Sequence, residues 1–190
     1  MLGHPSPRVD ALEIEFTNKR DGRTWSRIAA DVGAGWYKER FLYVAGPEVA
    51  PLNACVAAWN FLKPEGIDPC HVIGFNAYGA LLLVQTRPDS HSMSVHVVDP
   101  IRVAWFQNDG MDIFSLFGTW IPDDRIPGFM NTSIYDEWVA EQGPLQSGEI
   151  LAIKKPLPLG GTWDLDNFQP EGIASYYQST GPIYANVLGR

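Results

Sequence analysis

A chain of 190 residues that is 45% hydrophobic and 12% aromatic has the composition of a folded globular protein, not of a disordered or fibrous one. Against 14 Lys and Arg stand 22 Asp and Glu, and the formal net charge of −8 excludes a large basic nucleic-acid surface. The same balance argues against attachment to anionic lipid.

Residues 1–10, with His4, Pro5, Pro7 and Arg8, read as a disordered lead without the apolar stretch of a signal peptide. Leu12, Ile14 and Phe16 alternate with charged residues and fit a short strand or a frayed helix. Thr17 to Thr24 is a polar, basic turn around Asp21-Gly22. Trp25, Ile28, Ala29 and Val32 are at helical spacing, and Gly33 and Gly35 end that segment. Phe41-Leu42-Tyr43-Val44 is a strand-like buried run. Gly46-Pro47 then opens a helix reaching about Leu62, with Val49, Leu52, Val56, Trp59 and Leu62 as its buried stripe.

A β-rich region follows. His71–Phe75, Ala80–Thr86, Ser94–Val98 and Ile101–Gln107 are four short apolar runs separated by Asn76-Ala77-Tyr78-Gly79, Pro88–Ser92 and Asp99-Pro100, the pattern of an antiparallel meander. Leu81-Leu82-Leu83-Val84 is apolar on both faces, which places it centrally. Met111–Trp120 is expected to be a helix broken by Pro122-Asp123-Asp124. A second helix is expected from a Ser133 cap to about Gln142, burying Ile134, Trp138 and Val139. Glu149–Ile153 reads as a strand, Pro156–Gly161 as a constrained loop, and Gly172–Leu188 as a final helix that Gly181-Pro182 kinks or splits. The fold class expected is α+β: a central antiparallel meander packed with helices, then C-terminal helices and a Gly-Gly loop.

Chemistry-bearing patterns are sparse. The chain lacks Cys-x-x-Cys, G-x-S-x-G, S-x-x-K and a Walker-type loop. His91 and His96 are five apart in an extended stretch, which sends them to opposite faces, so no metal site is expected. Cys55 and Cys70 read as small core thiols of a reducing compartment, and with no run of 18 apolar residues a cytoplasmic protein without membrane contact is expected. The acid pairs Asp123-Asp124 and Asp164/Asp166 have no evident apolar pocket to raise one pKa, and read as turn acids. Neither a catalytic residue nor a cofactor is expected, and the chain reads as a non-enzyme.

Charge is concentrated. Residues 1–40 carry a net of +1 and residues 41–190 a net of −9. Within 109–149, Asp109, Asp112, Asp123, Asp124, Asp136, Glu137, Glu141 and Glu149 face a single base, Arg125. Solvated helix faces explain such a run, and so does a contact surface.

Three blocks carry a family resemblance. The first is Gly35-Trp36-Tyr37, Phe41–Val44, Pro47-Glu48 and Trp59. The second is Gly74-Phe75-Asn76-Ala77-Tyr78-Gly79-Ala80-Leu81, with Ala80 where a polar or acidic residue often stands. The third and most specific is Gly143–Ile150, then Pro156-Leu157-Pro158-Leu159-Gly160-Gly161, then Asp166-Asn167-Phe168. Together they resemble the type VI secretion immunity family with a GAD-like N-terminal half and a C-terminal domain of formerly unknown function, over about residues 30–188.

The resemblance implies a poorly matched segment 1–30, a GAD-like half 31–107 and an immunity-family half 108–190. It implies a cytoplasmic bacterial protein, monomer or weak dimer, that binds and neutralises a cognate DNase toxin and does not itself touch nucleic acid. In physical terms Gly148 and Gly160-Gly161 serve turns, Pro156 and Pro158 stiffen the chain, Leu157 and Leu159 anchor it, and Asn167 fixes a turn through backbone hydrogen bonds. A nuclease groove is basic, so Asp109, Asp112, Asp123, Asp124, Asp136 and Glu137 are the candidate toxin-binding residues. Trp120, Phe129 and Trp138 are candidate anchors or, alternatively, core. The competing readings are a small hydrolase with an acidic site and a peptide-binding adaptor with an open sheet edge.

Overall fold

The structure is a computed structural model describing residues 17–18, 23–24, 33–45, 50–67, 70–86, 93–111 and 115–190. The expected lead at 1–10, the Leu12–Phe16 and Trp25–Val32 segments, Val49 and the 88–92 turn lie outside the described residues.

The chain is α+β. Strands β1 (Thr17–Asn18) and β2 (Arg23–Thr24) pair antiparallel on either side of the Asp21-Gly22 position. The main sheet takes β3 (Gly35–Tyr37), β4 (Leu42–Val44), β5 (His71–Asn76), β6 (Leu81–Thr86), β7 (Met93–Asp99) and β8 (Ala104–Met111) in chain order, all antiparallel. Sequential pairing through short turns is what four closely spaced apolar runs dictate. Strand β6 is interior and Leu81–Val84 are buried, as apolar residues on both faces require. The last strand starts at Ala104, not Ile101, because Ile101–Val103 complete the turn that Asp99 caps.

Trp36, Tyr43 and Phe75 lie across β3, β4 and β5, with ring centroids 5.0–5.3 Å apart. Their register is direct, Trp36 opposite Tyr43 and Tyr43 opposite Phe75. Cross-strand aromatic pairs of this kind stabilise a sheet by about 0.5–1.5 kcal/mol each. Lys38, Glu39 and Arg40, between β3 and β4, all adopt positive φ. That conformation is unfavourable for residues with a Cβ. It is held from the other half of the chain: Tyr135 donates its hydroxyl to the Glu39 carbonyl, and Arg40 Nη1 donates to the Leu145 carbonyl at 2.8 Å.

Helix α1 (Ala50–Ala58) continues into a 3-10 turn, Asn60–Leu62. Leu52, Cys55, Val56, Trp59 and Leu62 are buried, so the described part of the expected stripe is present with Cys55 added. Helix α2 spans Ser133–Gln142. Its cap position is Thr132, one residue before the expected Ser133, and Asn131 Oδ1 accepts from the Ser133 N–H at 3.1 Å. It buries Ile134 and Tyr135, while Trp138 and Val139 are only half-buried.

Helix α3 (Ile173–Val187) is one continuous helix through Pro182. Gly181 is buried against α1, where a Cβ would overlap the Ala58 carbonyl oxygen. Trp59 Nε1 donates to the Tyr177 carbonyl at 3.1 Å, and its ring packs with Tyr177 and Tyr184. Packing against α1 thus offsets the backbone hydrogen bond that Pro182 removes. Strand β9 (Glu149–Ile153) pairs with β10 (Phe168–Gly172) in a separate ribbon. The expected helix over 111–120 is instead strand to Met111 and a π-helical turn, Leu116–Trp120.

One hydrophobic cluster takes residues from both sides of position 107, from Tyr37 to Ile101 and from Leu116 to Tyr184. The turn between β5 and β6 is its hub. Tyr78 packs against Phe41, Trp163 and Phe168, and its hydroxyl accepts the Tyr135 N–H at 3.0 Å. Ala77 accepts from the Leu151 N–H, tying the β9–β10 ribbon to the same turn.

Candidate functional site

The chain's most specific motif block builds a locked loop. Asn167 Oδ1 accepts from the Lys155 N–H at 3.1 Å, and its Nδ2 donates to the carbonyls of Lys155 and Thr162, both at 2.8 Å. Gly161 packs so closely that a Cβ would overlap the Lys155 carbonyl oxygen, and Gly160 has φ +85. Pro156 is buried, and Leu157 and Leu159 are half-buried against the core within a 3-10 turn. Gly160, Leu157, Leu159 and Asn167 have the scaffold roles expected of them, whereas Gly161 is required by close packing on the Lys155 backbone and not by a positive φ.

The acidic candidates divide by location. Asp123 and Asp124 lie in the turn after the π-helical turn, and both are exposed. Asp123 pairs with Arg125 Nη2 at 3.0 Å, and Asp124 Oδ1 accepts the Met130 N–H at 3.1 Å. Asp136 and Glu137 are exposed and adjacent on α2; Asp136 accepts from the Thr132 hydroxyl at 2.6 Å. Asp109 belongs to β8, opposite Ser94. Its side chain and the whole of Asp112 lie outside the described residues. Three of these acids therefore also serve local structure, and Glu137 is the one for which the structure gives no such bond. Of the aromatic candidates, Phe129 is core at 3% exposure, while Trp120 and Trp138 are half-buried.

Sequence reasoning missed a cavity of about 330 Å³ on one face of the sheet. Register puts Val95, Val97, Phe106 and Asn108 on that face, and they line the floor. Trp120 and residues 125–129 form a wall. This wall is fixed by Asn76 Nδ2, which donates to the Phe129 carbonyl at 2.8 Å, and by the Arg125 N–H, which donates to the Trp120 carbonyl at 2.8 Å. In the π-helical turn the Ile121 N–H reaches the Leu116 carbonyl, five residues back. Such wide turns recur at functional sites.

Arg102 and Arg125 are the cavity's cations. Arg102 is fixed: its Nη1 meets Asp99 Oδ2 at 2.5 Å, and its guanidinium lies against Gly128. Asp99 also accepts the N–H groups of Ile101 and Arg102. Tyr78 lines the inner end, and burial pushes its hydroxyl above the ordinary tyrosine value. The lining contains no Ser, Thr, Cys, Lys or His among the described residues. Its carboxylate already has three donors and its phenol holds its proton, so the arrangement suits binding.

Elsewhere, His96 is fully buried between Trp105 and Gln85. Cys55 is buried, Cys70 half-buried, and neither forms a disulfide. Among the described residues no group of three or more His, Cys, Asp or Glu is placed to hold a metal ion. No described helix is long and apolar enough to cross a membrane.

No family model matches the chain, and no curated protein matches it. Among solved structures it is similar to the crystal structure of Atu4351 from Agrobacterium tumefaciens, at 18% identity and TM-score 0.58, covering 95% of this chain and 85% of that one. That likeness is one of fold.

Proposed function

We propose that the chain is a non-catalytic immunity protein that binds a cognate type VI secretion DNase toxin in the bacterial cytoplasm and abolishes its activity. The reading rests on the motif resemblance. The observation that carries it furthest is the division of labour in the C-terminal half. The motif residues Gly161 and Asn167 are used up in locking a loop. The acids Asp123, Asp124, Asp136 and Glu137 are left on the surface.

A nuclease presents a basic groove to its polyanionic substrate, and an exposed acidic surface complements it and speeds encounter. Co-purification with the nuclease encoded beside this chain, together with suppression of its DNA cleavage, tests the reading. A chain that neither binds that nuclease nor protects cells expressing it is not an immunity protein.

The adaptor reading has one observation in its favour. Strand β8 is one of the two edge strands of its sheet among the described residues, and Phe106 on it is 47% exposed. An extended peptide can add to such an edge. Retention of unrelated extended peptides, with no effect on the neighbouring nuclease, would favour it.

A further inference from the structure

We propose that the cavity between the β7–β8 face and the 120–129 segment binds a small amphipathic carboxylate, a molecule with an apolar body and one anionic end. This goes beyond the immunity reading and does not depend on it.

Three features of the cavity converge on that ligand class. Its volume of about 330 Å³ is at the lower end of the range for ligand pockets. Its floor is mostly apolar, with Val95, Val97 and the half-exposed Phe106 beside one polar side chain, Asn108. Its wall is already assembled, since Asn76 holds Phe129 and Asp124 holds Met130 by side-chain bonds to the backbone. A preformed apolar site loses little ordering entropy when it is filled.

The cations select the end group. Arg125 is the single base between residues 109 and 149, and it lines this cavity. Among the described residues its guanidinium pairs with Asp123, two residues away, and both side chains are about half exposed. An exposed pair of this kind is weak and exchangeable, so the guanidinium is available to a second carboxylate. A guanidinium offers five N–H donors in a planar fork, which suits bidentate binding of a carboxylate. Arg102 cannot make that exchange as readily. Its partner Asp99 is only 7% exposed and is left a buried charge if the pair opens. Arg125 is therefore the anchor, and Arg102 with Asp99 is a neutral part of the rim.

Sodium octanoate, 1-octanol and octylammonium, titrated separately into the full-length chain, test this by NMR. The expected result is saturable one-to-one binding of octanoate, with shifts confined to Val95, Val97, Phe106 and the Trp120 indole. Arg125→Gln should weaken octanoate by about tenfold or more, the loss of one charge-assisted bond, and leave octanol unchanged. Phe106→Glu, at a half-exposed position, puts a negative charge on the cavity floor and should abolish octanoate binding while the amide spectrum stays folded. The proposal is overturned by an absence of saturable binding at millimolar octanoate. It is equally overturned by octanol or octylammonium binding as tightly as octanoate, or by full affinity in Arg125→Gln.

Discussion

Trp105 donates its indole N–H to Nδ1 of His96 at 3.1 Å, across the β7–β8 pair and two residues along it. An indole nitrogen can only donate, so Nδ1 must accept. The ring proton then sits on Nε2, which faces Gln85 Oε1 at 3.2 Å. The expected result of nitrogen-15 NMR is the Nε2–H tautomer for His96 at neutral pH. Trp105→Phe keeps a ring in place and removes the donor, at a cost of about 1–2 kcal/mol in chemical denaturation. An Nδ1–H signal for His96 would contradict this arrangement.

Two adjacent tyrosines provide an internal comparison. Tyr177 donates its hydroxyl to the Gly79 carbonyl at 2.7 Å, joining α3 to the β5–β6 turn. The Tyr176 hydroxyl is buried and has no partner in full hydrogen-bond geometry among the described residues, its interaction with the Tyr184 hydroxyl being the weaker kind. Tyr177→Phe should therefore cost about 1–2 kcal/mol, whereas Tyr176→Phe should be neutral or stabilising. Equal losses in the two variants would show that Tyr176 has a partner after all.

The same residues set an alkaline limit on stability. Burial pushes the Cys55 thiol from 9.0 up to about 11, and pushes Tyr176 and Tyr177 above the ordinary 10.0. All three pKa values are raised by folding, so below about pH 7.5 the groups are protonated in both states and add no pH dependence. Above that the unfolded chain ionises first, and stability falls with rising pH. Urea unfolding at about pH 7 and about pH 10.5 should show a clear loss, with a smaller one in Cys55→Ala and in Tyr177→Phe. Unfolding free energy that stays flat over that range would rule the effect out.

Asn167→Ala tests the locked loop. Three backbone hydrogen bonds converge on that side chain, two of them to the same residue, Lys155. The bonds are partly solvent-accessible, so the expected loss is about 1–3 kcal/mol in all, with faster amide exchange at Lys155. Gly161→Ala should cost more, because its Cβ meets backbone and not a flexible side-chain end. A neutral result at both positions would separate this loop from the stability of the fold.

That loop was legible in the sequence because Pro, Gly and Asn each have narrow backbone roles. The meander was legible because its strands are apolar, short and punctuated. Strand β10 was not: it reads Phe-Gln-Pro-Glu-Gly, which carries no β-branched residue, and it is held by pairing with Ile150–Ile153 rather than by its own preference. Tyr135 was missed because its burial comes from Tyr78 and Glu39, 57 and 96 residues away. The cavity was out of reach for the same reason, since Arg102 and Arg125 line a face that neither local periodicity nor charge counting defines. The apolar residues within Met111–Trp120 read as a helix, yet the backbone stays extended to Met111 in register with β7.

The toxin-contact surface is best tested at Glu137. Reversing Asp123 also frees Arg125, reversing Asp124 removes the acceptor of the Met130 N–H, and reversing Asp136 breaks the bond to Thr132 at the start of α2. A loss of toxin binding in any of these mixes electrostatics with local structure. Glu137→Lys changes an exposed helical charge alone. If the acidic face steers the toxin, this variant should slow association several-fold at low salt, with the difference shrinking at high salt and stability unchanged within about 0.5 kcal/mol. Stopped-flow association at two ionic strengths reads both effects. Association unchanged by Glu137→Lys, and by the conservative Asp123→Asn, would move the contact surface off these acids while leaving the immunity reading itself to the nuclease assay.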